Sequence, residues 1–335
     1  MDYLCTHASP ETILVAIPTL NEAAHIADTL EALLVDAPQM AEVKIVVADG
    51  GSSDATCDIV RDYGARHPNI HLIDNPDKLQ AAAVNKVVSD CAEPQHRILV
   101  RVDAHSHYKP GYVLRVADSL LQHDVAALAT VMDSVGDSCF QRGSAWSLDT
   151  KLGSGGSGHR GGTVSGYVEH GHHAGFDLDI WRKVGGYNVG FVANEDAELD
   201  HRIGLAGGKI WLDATIRLDY VMRPSLGKLA KQYWRYGKGR AQTIQTHGMR
   251  PKLRQMVPPV IFMVNLVSIL LSPVLPVLLI LPLLYLGLLA AISLQLLMKH
   301  RSLCALWAGP ALLAMHQTWG AGFLIQRYLT KGPTA

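Results

Sequence analysis

Over its first 250 residues or so this chain alternates short apolar runs with polar turns, and beyond them it turns almost wholly apolar. Five runs rich in Val, Ile and Leu have the length and composition of strands buried on both faces: "TILVAI" from Thr12, "VKIVVA" from Val43, "IHLI" from Ile70, "RILVRV" from Arg97 and "VAALAT" from Val125. Helical periodicity lies between them. From Asn21 it puts Ile26, Leu30, Leu33 and Leu34 on one face; from Pro110, near a first turn, it aligns Val113, Val116 and Leu120. Strand and helix alternating at this spacing predict an α/β fold with a mainly parallel, doubly wound sheet. Such sheets bind ligands beyond the carboxyl ends of their strands.

The apolar block changes the picture. From Val257 to Met298 about forty residues carry no charged side chain, against roughly twenty needed for one spanning helix. Two membrane passes are expected, hinged near "SPVLP" (Ser272 to Pro276), with Pro282 leaving the break open. Leu303 to Ile325 can make a third pass, weakened by Pro310, Gly320 and Gly322. No charged segment with an apolar core opens the chain, so the soluble part is expected on the cytosolic side. Basic flanks, "RPKLR" before the first pass and "KHR" (Lys299 to Arg301) after the second, fit an in-out-in hairpin. The expected divisions are a cytosolic α/β domain over 1–224, an interface segment over 225–256 and a membrane region over 257–326.

Thirty acidic and thirty basic residues cancel, so no bulk field draws the chain to nucleic acid, and phosphate recognition must be local. Five scattered cysteines, Cys5, Cys57, Cys91, Cys139 and Cys304, form no C-x-x-C pair. That argues against a disulfide framework and a zinc site, and for a reducing compartment.

Polar residues at the strand ends test the sheet-edge rule. Pro18-Thr19-Leu20-Asn21-Glu22 follows the first strand, "DGGSSD" (Asp49 to Asp54) the second, "DNPDK" (Asp74 to Lys78) the third and "DAHSH" (from Asp103) the fourth. Each alone reads as an ordinary turn. Four on one edge read as a site.

These segments, with "GHHAGFD", "GGYNVGFVANEDAELDHRI" and "QYWRYGKGR", resemble the inverting family 2 glycosyltransferases of GT-A fold, and within them the bacterial exopolysaccharide enzymes of succinoglycan type. The match runs from Ile17 to Arg240 in family order. The joint pattern is specific, whereas "DGGSSD" or "NED" alone is weak. The resemblance implies a UDP-sugar donor, with Asp49 accepting from the uracil ring and Pro18, Thr19, Asn21 and Glu22 holding uracil and ribose. A fixed carboxylate suits the uracil N–H, and Glu22 can accept from ribose hydroxyls. Lys78 falls near the nucleotide by the same analogy, or is a solvated surface lysine. Asp54 reads as the cap of the following helix.

Asp103 is then the carboxylate facing a Mg2+ or Mn2+ ion that stabilises charge on the departing UDP. The family usually has a second Asp where His105 stands. Imidazole suits a softer ion than Mg2+, so His105 is either a direct Mn2+ ligand or a donor behind one. The resemblance makes Asp196 the general base, with Glu195 orienting it or the acceptor. Inverting transfer needs one such base and no glycosyl-enzyme. Leu199, Ile203 and a stop at Gly207 place both carboxylates in a helix's first turn, where they also suit its dipole.

In "QYWRYGKGR", Gln232 and Arg235 match the Gln/Arg-x-x-Arg-Trp element of membrane glycan synthases, with Tyr236 in place of Trp. Arg235, Lys238 and Arg240 offer cations to a diphosphate. A basic, aromatic helix before a membrane is equally an interfacial anchor, and both roles are compatible. "GSGGSGHRGG" (Gly153 to Gly162) lacks the Lys of a P-loop and reads as a loop over the acceptor. Adjacent His172 and His173 point to opposite faces of an extended chain, so one packs and one is open to ligand. The expected enzyme moves a sugar, glucose by analogy, from a UDP donor to a polyprenyl-diphosphate-linked glycan in exopolysaccharide assembly, among membrane lipid and other assembly proteins. Polyprenyl phosphate as acceptor and a non-catalytic nucleotide-sugar sensor are the alternatives.

Overall fold

A computed structural model of the chain describes residues 7–35, 37–191 and 193–330; Cys5 lies outside them, as does the side chain of His173. Nine strands form one sheet: β1 Ile13–Thr19, β2 Lys44–Asp49, β3 Ile70–Asp74, β4 Ile98–Arg101, β5 Ser106–Tyr108, β6 Ala127–Val135, β7 Gly166–Val168, β8 His172–Asp177 and β9 Ile210–Val221. The helices are α1 Ile26–Leu34, α2 Ala37–Met40, α3 Thr56–Arg66, α4 Gln80–Cys91, α5 Tyr112–His123, α6 Cys139–Leu148, α7 Lys151–Ser154, α8 Leu178–Val184, α9 Glu195–Leu205, α10 Leu226–Thr246, α11 Leu253–Leu271, α12 Ile280–His300 and α13 Ala308–Leu324. The chain divides into two compact units. The first comprises residues 1–133, 161–190 and 195–220, and the second 134–160, 191–194 and 221–335.

The strand order is β3-β2-β1-β4-β8-β6-β9-β5, with β7 paired to β9. The pairings among β1, β2, β3 and β4 are parallel. From β4 onward the pairing is antiparallel, to β8 and then β6. The sheet is thus mixed, and the mainly parallel sheet read from the alternation holds for its first half. Hydrophobic runs identify a buried strand but leave its direction open, because direction is set by connections.

Alternate residues of β1 serve two cores. Ile13, Val15 and Ile17 pack with Ile26, Leu30, Val113 and Val116 on one face; Leu14 and Ala16 pack with Val84, Val87, Phe176 and Leu199 on the other. Each fully buried aliphatic side chain contributes about 1.5–3 kcal/mol. Two such layers hold the strand ends rigidly.

In the second unit, Leu253–Leu271 and Pro276–His300 are long and apolar enough to cross a membrane, with mean hydropathy 1.6 and 2.6. The break between them falls at the expected hinge. The third apolar stretch forms α13, only 17 residues long and largely buried. A Cβ on Gly322 would lie 2.4 Å from the Trp234 carbonyl of α10, and one on Gly237 2.1 Å from the Trp319 carbonyl of α13. Those glycines therefore let two helix backbones meet, the usual use of small residues at such crossings.

One sequence reading is corrected here. Cys139 and Cys304 form a disulfide across 165 residues. Spacing could not reveal it, because the start of α6 and the turn before α13 are neighbours only after folding. Cys57 and Cys91 are free thiols.

Candidate active site

The site grows from the strand ends of the first unit. Thr19 and Asp49 face each other at the ends of β1 and β2, and Asp49 faces Asp74 of β3. Asp49 is buried. Its Oδ2 accepts from the N–H groups of Gly51 and Ser52, both at 2.8 Å, and its Oδ1 from the hydroxyls of Ser52 (2.5 Å) and Thr19 (3.2 Å). Burial works against ionisation, yet the Ser52 hydroxyl, with these other donors, brings the carboxyl below its ordinary range. The same charge and burial push the Cys57 thiol up to about 11.

The first turn is sewn to the second. The Asn21 N–H donates to Ser52 Oγ at 2.7 Å, Asn21 Oδ1 accepts from the Ser53 N–H at 2.8 Å, and the Glu22 N–H donates to Thr56 Oγ1 at 2.8 Å. Asn21 takes a left-handed conformation (φ 57°), which Asn tolerates better than most residues. Asp54 accepts from Thr56 and from the Ala23 N–H, so it joins the two turns while bonding the start of α3. Lys78, also left-handed, extends its side chain along Gly51, whose Cβ would lie 3.7 Å from Lys78 Cε.

The fourth turn is braced from within: the Asp103 N–H donates to the Tyr108 hydroxyl at 2.7 Å, and Thr29 donates to the Ala104 carbonyl at 2.8 Å. His105 Nδ1 lies 3.1 Å from Glu22 Oε1, which links this turn to the first. Asp103 Oδ1 accepts from Gln80 Nε2 at 2.7 Å and from Arg101 Nε at 3.2 Å. Its Oδ2 faces His172 Nε2 at 3.6 Å, beyond good hydrogen-bond length.

Arg101 joins the two halves of the site. Its side chain, 5% exposed, leaves the end of β4 and reaches Asp196 at 2.7 Å, the Tyr187 hydroxyl at 2.8 Å and Glu195 at 4.0 Å. Tyr187 donates to the same Asp196 oxygen at 2.7 Å. Burial disfavours the guanidinium charge, but Asp103 and Asp196 outweigh it, so Arg101 stays cationic. Burial likewise opposes ionisation of Asp103, and Arg101, helped by His172 and His105, holds its carboxyl far below the usual range. Glu195 goes the other way: burial, then the Asp196 charge, raises it to about 7.

The raised Glu195 has a measurable consequence. Its folded form keeps a proton that the unfolded chain loses near its ordinary value of 4.5, so this group costs stability as pH rises from there toward 7. Glu195→Gln is expected to raise the melting temperature at pH 8 and leave it nearly unchanged at pH 5, which thermal unfolding at both pH values checks.

The residues singled out in the sequence fall into two sets. Pro18, Thr19, Asn21, Glu22, Asp49, Lys78, Asp103, His105, Glu195 and Asp196 all belong to the first unit, whereas Gln232, Arg235, Lys238 and Arg240 lie on α10 of the second. There Gln232 Nε2 donates to the Tyr236 hydroxyl at 2.8 Å. Sequence reasoning missed Arg101, Tyr187 and Gln80. Arg101 carried a signal: a charge set between Val100 and Val102 in the part of "RILVRV" that follows Arg97 and is otherwise wholly aliphatic.

The donor set fits a divalent ion in part. Asp103 Oδ2 is an ionised oxygen not tied up by a short hydrogen bond, with His172 Nε2 at 3.6 Å and His105, bonded to Glu22, near enough to help lower the carboxyl. One carboxylate with imidazoles suits Mn2+ better than Mg2+. Among the described residues no three His, Cys, Asp or Glu side chains are grouped to hold a metal by themselves, so a ligand's own oxygens would complete the shell.

A mixed sheet carrying acidic strand-end turns, with a carboxylate pair opening a nearby helix, defines a sugar transferase of GT-A fold. Residues 14–185 match the profile described as Glycosyl transferase family 2, and the chain belongs to that family; it is a glycosyltransferase. It is 37% identical over 318 residues, 92% of this chain and 93% of its relative, to the succinoglycan biosynthesis protein ExoA of Rhizobium meliloti (strain 1021). The fold is shared with the mannosyltransferase PcManGT of Pyrobaculum calidifontis, solved with GDP-Man and Mn2+, at TM-score 0.59 and 17% identity over 97% of this chain and 90% of that one. It is shared also with GalNAc-T7, solved with UDP, GalNAc and Mn2+, at TM-score 0.52 and 13% identity over 70% of this chain and 47% of that one.

Proposed function

We propose that this glycosyltransferase moves a sugar, glucose by analogy, from a UDP donor to a polyprenyl-diphosphate-linked glycan at the cytosolic leaflet of a bacterial inner membrane, with inversion, during exopolysaccharide assembly. The observation that supports the reading is the joining of Asp103 and Asp196 through one buried guanidinium, as a donor-side and an acceptor-side carboxylate serving one reaction would require. The likeness to the succinoglycan protein supports the pathway. The membrane setting is supported by the two apolar helices and by charge: the chain after Asp219 holds thirteen of the thirty basic residues and no acidic one. Arg250 and Lys252 before α11 with Arg254 in its first turn, and Lys299 and Arg301 at the end of α12, suit an in-out-in hairpin.

In this reading Asp49, Thr19, Asn21 and Glu22 form the uridine seat with Pro18, and Lys78 lies beside it. Asp103, with His172 and His105, would hold a Mn2+ or Mg2+ ion, which supplies charge stabilisation for the leaving diphosphate. Gln232, Arg235, Lys238 and Arg240 contribute amide and cationic donors to phosphate oxygens. Asp196 takes the proton from the acceptor hydroxyl as that oxygen attacks the anomeric carbon and UDP departs. Arg101 and Tyr187 hold the carboxylate in place, and Glu195 orients the acceptor.

Membranes containing the protein, incubated with a panel of UDP-sugars, Mn2+ or Mg2+ and a lipid-linked acceptor extract, should release UDP and move labelled sugar into the organic phase from one donor. UDP binding without turnover across the panel would favour a nucleotide-sugar sensor. Asp103→Ala should abolish the metal-dependent part of UDP binding; equal UDP affinity with and without Mn2+ in that variant, at the wild-type value, would overturn the metal assignment.

A further inference from the structure

Three residues of the α10 motif, Tyr236, Gly237 and Gly239, bear no charge, and the transferase reading leaves them without a task. In a helix interior each glycine costs about 1 kcal/mol relative to Ala, so two in three positions need a reason. Residues two apart on a helix point about 200° from each other, so Gly237 and Gly239 occupy opposite faces of α10. Gly237 is pressed against α13, where a Cβ would lie 2.1 Å from the Trp319 carbonyl. Gly239 is pressed against Ala193 and Asn194, where a Cβ would lie 2.2 Å from the Ala193 carbonyl and 2.8 Å from Asn194 Nδ2. Asn194 is left-handed, φ 62°, and its Nδ2 donates to the Tyr236 carbonyl at 2.8 Å. α10 is therefore wedged between a buried helix and this short loop, and all three partners belong to the second unit.

The next peptide bond leads to Glu195, the first residue of α9, and then to Asp196. The chain passes from the second unit back to the first at that bond. We propose that Gly239, Asn194 and the Tyr236 carbonyl form a clamp that fixes where the carboxylate helix begins, so that α10 positions the proposed base. These are positioning residues, since they act through Asp196. The inference rests on the reading of Asp196 as base. An adjustment of about 1 Å at a reacting group can cost on the order of 10²-fold in rate.

The test uses the full chain in lipid nanodiscs. Asn194→Gly keeps the left-handed backbone and removes the amide; Gly239→Ala adds only a methyl at the close approach; Gly227→Ala, on the same helix with nothing within 4 Å, is the control. With the donor that wild type uses, the two clamp variants should lose about 10- to 100-fold in kcat, with donor KM, UDP affinity and melting temperature within about twofold or a few degrees of wild type. The double variant should be little worse than the poorer single, as coupled partners behave. Amide hydrogen exchange over Glu195 to Leu199 should quicken in both clamp variants and not in the control. Unchanged kcat and exchange, or a parallel fall of kcat, affinity and stability, would overturn the clamp. Quickened exchange in a wild-type background that transfers no sugar would keep the clamp and overturn the base reading.

Discussion

Asp196→Asn removes glycosyl transfer, by about 10³-fold or more in kcat, while UDP affinity remains within about twofold of wild type. A positioned general base contributes roughly 10²–10⁴-fold, and the amide keeps the size and planarity of the carboxyl while losing its basicity. The Asn oxygen can still accept from Arg101 and Tyr187, which reach Asp196 at 2.7 Å each, so the helix start should not move. Asp49, proposed for the nucleotide, is held by Thr19, Gly51 and Ser52, hence the UDP affinity expected to be retained. Single-turnover transfer and UDP titration on one preparation separate the two. A sensor would show no loss in cells carrying the variant, and equal transfer by Asp196→Asn and wild type would remove Asp196 from the mechanism.

Arg101→Met has the second large effect, and it is first a stability effect. The guanidinium is the buried cation that Asp103, Glu195 and Asp196 share. Leaving a buried charge without its partner costs about 3–5 kcal/mol. The sign with pH follows from the shifts. Asp103 is lowered in the folded chain by Arg101, so it stabilises the fold above its ordinary value of 3.8 and loses that contribution as acid protonates it. Without Arg101, burial makes Asp103 and Glu195 resist ionisation, and their charged forms oppose folding as pH rises. The deficit of the variant relative to wild type should be largest near pH 8 and shrink toward pH 4. Thermal unfolding in detergent with a chelator present, from pH 4 to 8, checks this. A pH-independent deficit would mean that Arg101 serves packing alone. Arg101→Lys, which keeps charge and loses the fork that spans two carboxylates, should fall between.

Several elements were legible before folding because they depend on local pattern. β1 to β4 and β6 lie where Val, Ile and Leu cluster, and α5 and α9 follow the 3.6-residue spacing of Val113, Val116 and Leu120, and of Leu199 and Ile203. The helix expected from Asn21 starts five residues later, at Ile26, since Asn21 and Glu22 are spent on bonds to Ser52, Ser53 and Thr56. Acidic strand-end turns were visible as a set because a sheet edge gathers what the sequence spaces 25 to 30 residues apart. Arg101 was visible as a charge in an apolar run, though not what it would meet.

The amino-acid sequence by itself determined the composition of the sheet, the apolar span, the residues of the strand-end turns and membership of family 2. The first three follow from residue type and short-range periodicity, and the last from the likeness of the motifs to those of the family. Only the tertiary structure decided the antiparallel half of the sheet, the Cys139–Cys304 bond, the burial of α13, the meeting of Arg101 with Asp196 across 95 residues and the pressure of Gly239 on Ala193. Each is a contact between segments far apart in the chain, chosen by how whole elements pack. Local pattern says which face of a strand or helix is buried, and only packing says against what.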